Sequence, residues 1–194
     1  MAALSARGRH CGQRGSGLIE VLVTLVIVAV GLLGLFGLQS RLQLAEVESY
    51  QRTQALVLLD DMASRIATNR GAAADYVTTA ADPLGVGSVC PQLGASPTRQ
   101  LIDAAEWCAA LQGAAEVSGG GRSGAMIGGR GCVESLPNNE YLITVAWQGM
   151  TPISAPPAGV ACGQDLYDGA ADSSCTADLC RRVVTTIVRI ATLS

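Results

Sequence analysis

The sequence has no lysine and only one histidine, His10, and aromatic residues make up 4% of the chain. Without lysine there is neither a Walker-type phosphate-binding lysine nor a Schiff base. Without a histidine after residue 10, a Ser-His-Asp or Cys-His arrangement is excluded from the rest of the chain. Paired carboxylates remain, but no aromatic-lined site accompanies them. We therefore expect no enzymatic activity and no cofactor.

Positive charge is also scarce and unevenly placed. Arg7, Arg9 and Arg14 precede every acidic residue of the chain. From residue 16 onward, 10 arginines stand against 16 acidic residues, which gives a net charge of −6. No basic patch is visible, so a nucleic-acid partner is not expected.

One long apolar run dominates the N-terminal part. Val21 to Leu38 is 18 residues long, and Thr24 is its only polar side chain. This length suffices to cross a bilayer as a helix, and it exceeds a normal secretory signal core. Because the arginines precede the run, the positive-inside rule predicts a cytoplasmic N-terminus and translocation of everything after the span.

A carboxylate, Glu20, stands at the head of this run. An acid in a membrane span costs about 2.5–3.5 kcal/mol at the bilayer centre and less near its edge, so it usually has a partner. A helix N-terminus also favours a carboxylate in its first turn. The alternative is an ordinary anchor whose Glu20 contacts the lipid headgroups.

The basic leader that ends in Gly15, followed by Ser16-Gly17-Leu18-Ile19-Glu20, resembles the type IV prepilin signal. The resemblance implies that prepilin peptidase cuts between Gly15 and Ser16 and methylates the new amine of Ser16. It also implies that Glu20, then the fifth residue, neutralises the amine of a neighbouring subunit and sets the axial register. The family usually has phenylalanine where this chain has Ser16.

The cysteine count fits removal of residues 1–15, since this leader contains Cys11. An even set remains, which suits an oxidising compartment. We predict up to three disulfides; six cysteines allow fifteen pairings, and the sequence selects none. A zinc site is the rival interpretation, but the spacings lack a CxxC and no histidine is available. The six candidates are Cys90, Cys108, Cys132, Cys162, Cys175 and Cys180.

The helical pattern continues beyond the membrane. We assign residues 16–38 to a transmembrane or filament-core helix, 39–70 to an amphipathic stalk helix and 71–194 to a periplasmic globular domain. Gly71 is the expected stop of the stalk helix. The spacing of five apolar residues predicts one buried face. These residues are Ala55, Leu58, Leu59, Met62 and Ile66.

After residue 71 the pattern predicts loop to residue 99, then a short helix from Asp103 to Glu116. The residues on or near the apolar face of this helix are Ile102, Ala105, Cys108, Ala109 and Leu111.

Residues 119–131 are glycine-rich and predict a loop. Strand candidates cover residues 125–133, 141–147 and 182–193. The 34-residue loop between the last two contains three cysteines and is predicted to be disulfide-stapled. The order of elements predicts an α+β fold, with a long N-terminal helix packed on a small antiparallel sheet.

Three glycines, Gly31, Gly34 and Gly37, interrupt the second half of the span. One interpretation is close packing against a neighbouring helix. The other is a segment that unwinds when the subunit leaves lipid, since each glycine weakens a helix by about 1 kcal/mol.

Four acidic residues fall within the last long loop, and hard cations bind several carboxylates, so a calcium site is conceivable. Their spacing does not match an EF-hand, and a solvated acidic loop is the preferred interpretation. They are Asp165, Asp168, Asp172 and Asp178.

Further segments are similar to the PilV minor-pilin family. They are Gly31 to Leu35, Tyr50 to Arg52, Asp61 to Ile66, Tyr141 to Trp147 and Cys180 to Arg182. The resemblance implies a pilin-like fold and a minor pilin that joins other minor pilins and the major pilin in a complex priming pilus assembly. It also implies a place at the pilus tip, support of an adhesin, and a role in twitching motility. The protein would sit in inner-membrane lipid before assembly and at the cell surface afterwards.

Two other functions remain open. A minor pseudopilin of a type II secretion system shares the signal and the fold. An unprocessed, single-span periplasmic scaffold or binding protein would keep its leader.

Overall fold

Helix α1 (Ser16–Thr68) begins the part of the chain that the structure describes. The computed structural model describes residues 16–113, 117–118, 121–122 and 126–191. The chain divides into two units, residues 1–45 and 46–194, and α1 contributes to both. The segments 16–38 and 39–70, which the sequence separates by composition, are one continuous helix that ends at Thr68.

The second unit buries one face of α1. Ala55, Leu59, Met62 and Ile66 are buried in the hydrophobic core, and Leu58 packs against it. Their spacing places them on one side of a helix with 3.6 residues per turn. The predicted buried face of the stalk helix is therefore confirmed.

The end of α1 differs slightly from the prediction. A 3₁₀ helix (Arg70–Tyr76) follows directly, where the sequence predicts loop. Gly71 lies within it rather than at the stop of α1. The small residues after Gly71 permit this tighter turn, which buries Ala73 and Tyr76.

Helix α2 spans Arg99–Leu111, not Asp103 to Glu116. It begins at the N-cap Thr98, whose hydroxyl accepts a hydrogen bond from the Leu101 amide. Residues 114–116 lie outside the described residues. The predicted face is only partly right: Cys108 and Leu111 are buried, whereas Ile102, Ala105 and Ala109 are half-buried. The buried face centres instead on Trp107, whose indole N–H donates to the Leu58 carbonyl of α1 at 2.8 Å.

A four-stranded antiparallel sheet packs on these helices, in the order β1-β4-β5-β6. The predicted strand at 125–133 begins and ends later, and the one at 182–193 ends earlier; residues 125 and 192–194 lie outside the described residues. A separate two-stranded hairpin, β2-β3, occupies part of the glycine-rich stretch that the sequence predicts as loop. The strands are β1 (Leu84–Gly85), β2 (Val117–Ser118), β3 (Gly121–Arg122), β4 (Arg130–Leu136), β5 (Glu140–Gln148) and β6 (Arg181–Arg189).

Three disulfides hold the loops, and they select one of the fifteen pairings. Cys90–Cys108 attaches the segment before α2 to that helix, and Cys132–Cys162 ties β4 to the long loop. Cys175–Cys180 closes a short ring just before β6. A disulfide typically contributes about 2–4 kcal/mol, more for longer loops. The predicted fold, a long helix on a small antiparallel sheet with stapled loops, is confirmed.

The long loop between β5 and β6 also contacts the sheet through Tyr167. Its hydroxyl donates to the Gly128 carbonyl at 2.9 Å, and the Arg130 guanidinium lies 4.9 Å from its ring centroid. Burial raises the pKa of Tyr167, although the nearby Arg130 charge opposes the shift.

A polar network joins α1 to α2. Arg65 contacts three carboxylates, Asp61, Asp103 and Glu106, at 2.7–2.9 Å. Partial burial lowers the pKa of Arg65, but hydrogen bonds to these carboxylates outweigh it and raise the pKa overall. Asp103 is only 1% exposed, and it also contacts Arg99 at 2.9 Å. A buried charge requires such partners, so this network fixes how the two helices meet.

Tyr76 completes the network and has a testable pH dependence. Its hydroxyl donates a hydrogen bond to Asp103 Oδ2 at 2.6 Å. Burial is the main cause that raises the pKa of Tyr76, and this hydrogen bond is the second. Because the folded pKa is raised, the stabilisation is complete below about pH 10 and is lost as pH rises through the folded value. We expect Tyr76→Phe to destabilise the protein by roughly 1–3 kcal/mol at neutral pH and to reduce its loss of stability above pH 10.

Urea unfolding of the full chain in detergent micelles, followed by tryptophan fluorescence at several pH values, measures this. Tyr50→Phe, at an exposed position of α1, is the matched control. An alkaline stability loss in Tyr76→Phe equal to that of the control would contradict the assignment.

Candidate functional site

The start of α1 carries the residues on which the sequence analysis centres. The described part of the chain starts at Ser16, which is already helical. Gly15 and the rest of the leader lie outside the described residues. The cut between Gly15 and Ser16 and the methylation of Ser16 therefore stay predictions.

The apolar run after Glu20 covers the outside of this part of the helix. The large side chains from Val21 to Leu38 are all exposed, and Phe36 is 74% exposed. Among the described residues, α1 is the one helix long and apolar enough to cross a membrane. Such a surface is far larger than a soluble monomer normally exposes to water, so lipid or another protein must cover it.

Glu20 is the fifth residue of α1 and lies just past its first turn. The expectation that the helix N-terminus favours this carboxylate stays a prediction, since the residues before Ser16 lie outside the described part of the chain. Within the described residues, Glu20 forms neither an ion pair nor a hydrogen bond, and it is exposed. The carboxylate is thus available to a partner outside this subunit.

The three glycines of the span lie inside the continuous helix α1. A Cβ built on Gly31, Gly34 or Gly37 meets no atom of the chain within 4 Å. Contacts inside the subunit therefore do not explain these glycines. Both interpretations, close approach of a neighbouring helix and unwinding on leaving lipid, remain open.

The acidic loop does not form a calcium site. The Asp168 carboxylate accepts the backbone N–H groups of Ala177 and Asp178, and the Asp178 carboxylate pairs with Arg181 at 3.0 Å. Asp178 also accepts the amide of Asp165. In the described part of the chain, no group of three or more acidic, cysteine or histidine side chains could hold a metal. These carboxylates stabilise tight turns instead.

A cleft of about 460 Å³ in the second unit escaped the sequence analysis. Its walls come from α1, the end of β5, the start of β6 and the extended segment 153–157; we call it the arginine cleft. The adjacent arginines at the start of β6 are the sequence signal that points to it. The lining residues used below are Glu48, Arg52, Trp147, Ile153, Ser154, Arg181 and Arg182.

Arg182 holds this cleft together. Its Nε lies 2.8 Å from Glu48 Oε1 on α1, and its Nη2 donates to the Thr151 carbonyl at 2.6 Å. A Cβ on Gly149 would lie only 2.6 Å from Arg182 Cζ, so a glycine is needed where the guanidinium passes. One side chain thus connects the first helix, the last strand and the loop before it.

Comparison with known proteins bears on the N-terminal site. Residues 11–36 match the prokaryotic N-terminal methylation motif. This motif indicates a type IV pilin-like protein. The match includes Gly15, Ser16, Glu20 and most of the apolar run, and it implies processing by prepilin peptidase and assembly with other pilins. No curated protein and no solved structure matches the chain.

The matched motif and the exposed apolar helix both fit membrane anchoring followed by assembly. If lipid and then neighbouring helices cover the apolar surface of α1, no other part of the same subunit has to bury it. The motif also favours processing over an anchor that keeps its leader.

Proposed function

We propose that this pilin-like chain is a minor pilin of a type IV pilus, of the PilV kind. It joins other minor pilins in the complex that primes pilus assembly, and it supports adhesion and twitching motility as a component of the tip. The observation that carries the proposal is the methylation motif at residues 11–36, continuous with a helix whose far end is built into a folded domain. The segments similar to PilV support the finer assignment.

The proposed sequence of events follows from the helix. Prepilin peptidase removes residues 1–15 on the cytoplasmic face, while the domain lies in the periplasm and α1 lies in the inner membrane. The subunit then leaves lipid, and its apolar surface joins the helical core of the filament. Glu20 pairs there with the amine of a neighbouring subunit. The chemistry is assembly, and no catalytic role is proposed.

A minor pseudopilin of a type II secretion system is the second candidate, because the same motif introduces pseudopilins. The two assignments predict different locations. A minor pilin is recovered with pili sheared from cells, whereas a pseudopilin stays with the cell envelope. Neighbouring pilus or secretion genes would also separate them.

Mass spectrometry of the N-terminal peptide from protein purified out of its native membrane tests the common step. We expect a peptide that begins at Ser16 and carries one methyl group. In Gly15→Ala, leader removal should be slowed, because the prepilin signal that this leader resembles has glycine directly before the cut; Gly17→Ala is the matched control. A wild-type peptide that still contains Arg7 to Gly15 would overturn the proposal, and unchanged processing of Gly15→Ala would place the cut elsewhere.

A further inference from the structure

We propose that the arginine cleft docks an extended, acidic segment of a neighbouring pilin-like subunit, a segment that places an apolar side chain beside a carboxylate. This inference rests on the proposed function, since it names a contact that the assembled subunit makes. It concerns the folded domain rather than the apolar part of α1, and its basis is the charge and shape of the cleft.

The first argument is charge. Three of the ten arginines after residue 15 line this one cleft. Arg181 is paired with Asp178 and Arg182 with Glu48. Arg52 is exposed and, in the described part of the chain, has no ion-pair or hydrogen-bond partner. An uncompensated cation lining a cleft, in a chain whose net charge from residue 16 onward is −6, favours an anionic partner at this place.

The second argument is the set of unpartnered donors in the walls. Trp147 Nε1 and Arg181 Nε are buried and have no hydrogen-bond partner among the described residues. Leaving a buried donor unpaired costs about 1–3 kcal/mol, so two in the same walls are unusual in a finished site. Both atoms are shielded from solvent, so a carboxylate or a carbonyl group in the cleft supplies the acceptors that these donors lack once the wall side chains shift to admit it.

The third argument is the shape of the cleft and its apolar wall. Ile153 is 53% exposed, and two prolines, Pro156 and Pro157, continue the same wall. The segment is held in place because the Ile153 amide donates to the Leu179 carbonyl at 2.8 Å. A fixed wall with an exposed isoleucine suits a side chain of a peptide better than it suits a free inorganic anion.

The fourth argument concerns the conformation of the occupant. Strand β6 starts in the wall of the cleft and is the last strand in the sheet order, so among the described residues its outer edge has no neighbouring strand. An edge strand offers a row of backbone N–H and C=O groups, and an extended segment can pair with it. The wall opposite β6 belongs to α1, because Glu48 and Arg52 line the cleft there. Under the proposed function, α1 is the helix that enters the filament.

Charge reversal at Arg52 in the full chain, expressed in its native cells, is the test. We expect Arg52→Glu to lower the amount of the chain in sheared filaments by about tenfold, because it sets a like charge against the acidic partner. Arg70→Glu, at another exposed arginine of the second unit, should assemble normally. Tryptophan-fluorescence melting of both variants in micelles should match the wild type, because neither arginine forms an ion pair in the described structure.

A photo-crosslinking residue at Ser154 in the same cells identifies the occupant. We expect an adduct whose crosslinked peptide belongs to a different protein with a prepilin-type N-terminus and contains an aspartate or glutamate. The proposal would be overturned if Ser154 crosslinked only to a second copy of this chain, only to lipid, or to no other molecule. Equal assembly of Arg52→Glu and Arg70→Glu would do so as well.

Measuring the methylated Ser16 peptide in the same samples distinguishes a failure of the docking proposal from a failure of the proposed function. If Ser16 is methylated and Arg52→Glu assembles like its control, only the docking proposal fails. If the leader is intact, the proposed function fails and the docking proposal with it.

Discussion

Replacing Glu20 by alanine is expected to remove most of the chain from sheared filaments while leaving leader removal nearly intact. The Glu20 carboxylate is exposed and has no partner among the described residues, which leaves it available to the amine of a neighbouring subunit under the proposed function. In the apolar core of a filament, an amine without its carboxylate is a buried unpaired charge. Breaking such a pair costs about 3–5 kcal/mol, and even a partial loss corresponds to tenfold or more in assembly.

Quantitative immunoblotting of sheared filaments and of membranes, with the N-terminal peptide measured in both, provides the readout. Glu46→Ala is the matched control, since Glu46 is an exposed glutamate on the same helix. Glu20→Asp keeps the charge and should restore part of the assembly. Normal recovery of Glu20→Ala in filaments would show that pairing at this position does not hold the subunit.

Gly131→Ala is expected to destabilise the folded domain strongly, although it adds only one methyl group. A Cβ at Gly131 would overlap the Trp107 ring, with Cζ3 at 2.6 Å, and would lie 2.8 Å from Leu111 Cδ1. Trp107 cannot withdraw easily, because it is fully buried and its indole N–H is bonded to α1. Overpacking of this kind costs about 1–3 kcal/mol, and the upper end lowers the Tm by roughly 6–12 °C in a chain of this size.

Thermal unfolding of the full chain in detergent micelles measures the effect. Gly94→Ala provides the baseline, since a Cβ there meets nothing within 4 Å. In a Trp107→Phe background the same alanine should cost much less, because the smaller ring leaves room for the methyl group. A Tm for Gly131→Ala equal to that of Gly94→Ala would mean that α2 does not lie against β4 at this distance.

The sequence predicts an element well where a single physical requirement sets the pattern. The buried face of α1 follows from apolar residues at helical spacing, and β5 from a dense run of β-branched and aromatic residues. Both are found within one or two residues of their predicted positions. The apolar run after Glu20 is similar, because nothing except lipid or other helices can cover it.

The prediction fails where two requirements compete. Asp103 looks like a helix-starting residue, but it lies within α2 and is buried beside Arg65 and Tyr76, which are distant in sequence. The sequence therefore predicts that α2 begins four residues too late, at Asp103 rather than at Arg99. The disulfide pairing and the arginine cleft depend on tertiary contacts in the same way, and no local pattern encodes them.

The bond between Arg182 and Glu48 links residues 134 positions apart in the chain. Ribosomes synthesise α1 well before β6, so this bond and the pairing of β5 with β6 must wait until residues 181–189 have been made. Contacts of such long sequence separation slow folding. A chain interrupted before β6 would thus carry a complete membrane anchor but lack both its edge strand and the arginine that holds the helix to it. The contact that fixes α1 to β6 therefore forms only after residues 181–189 have been made, later than the helix and the strands that precede it.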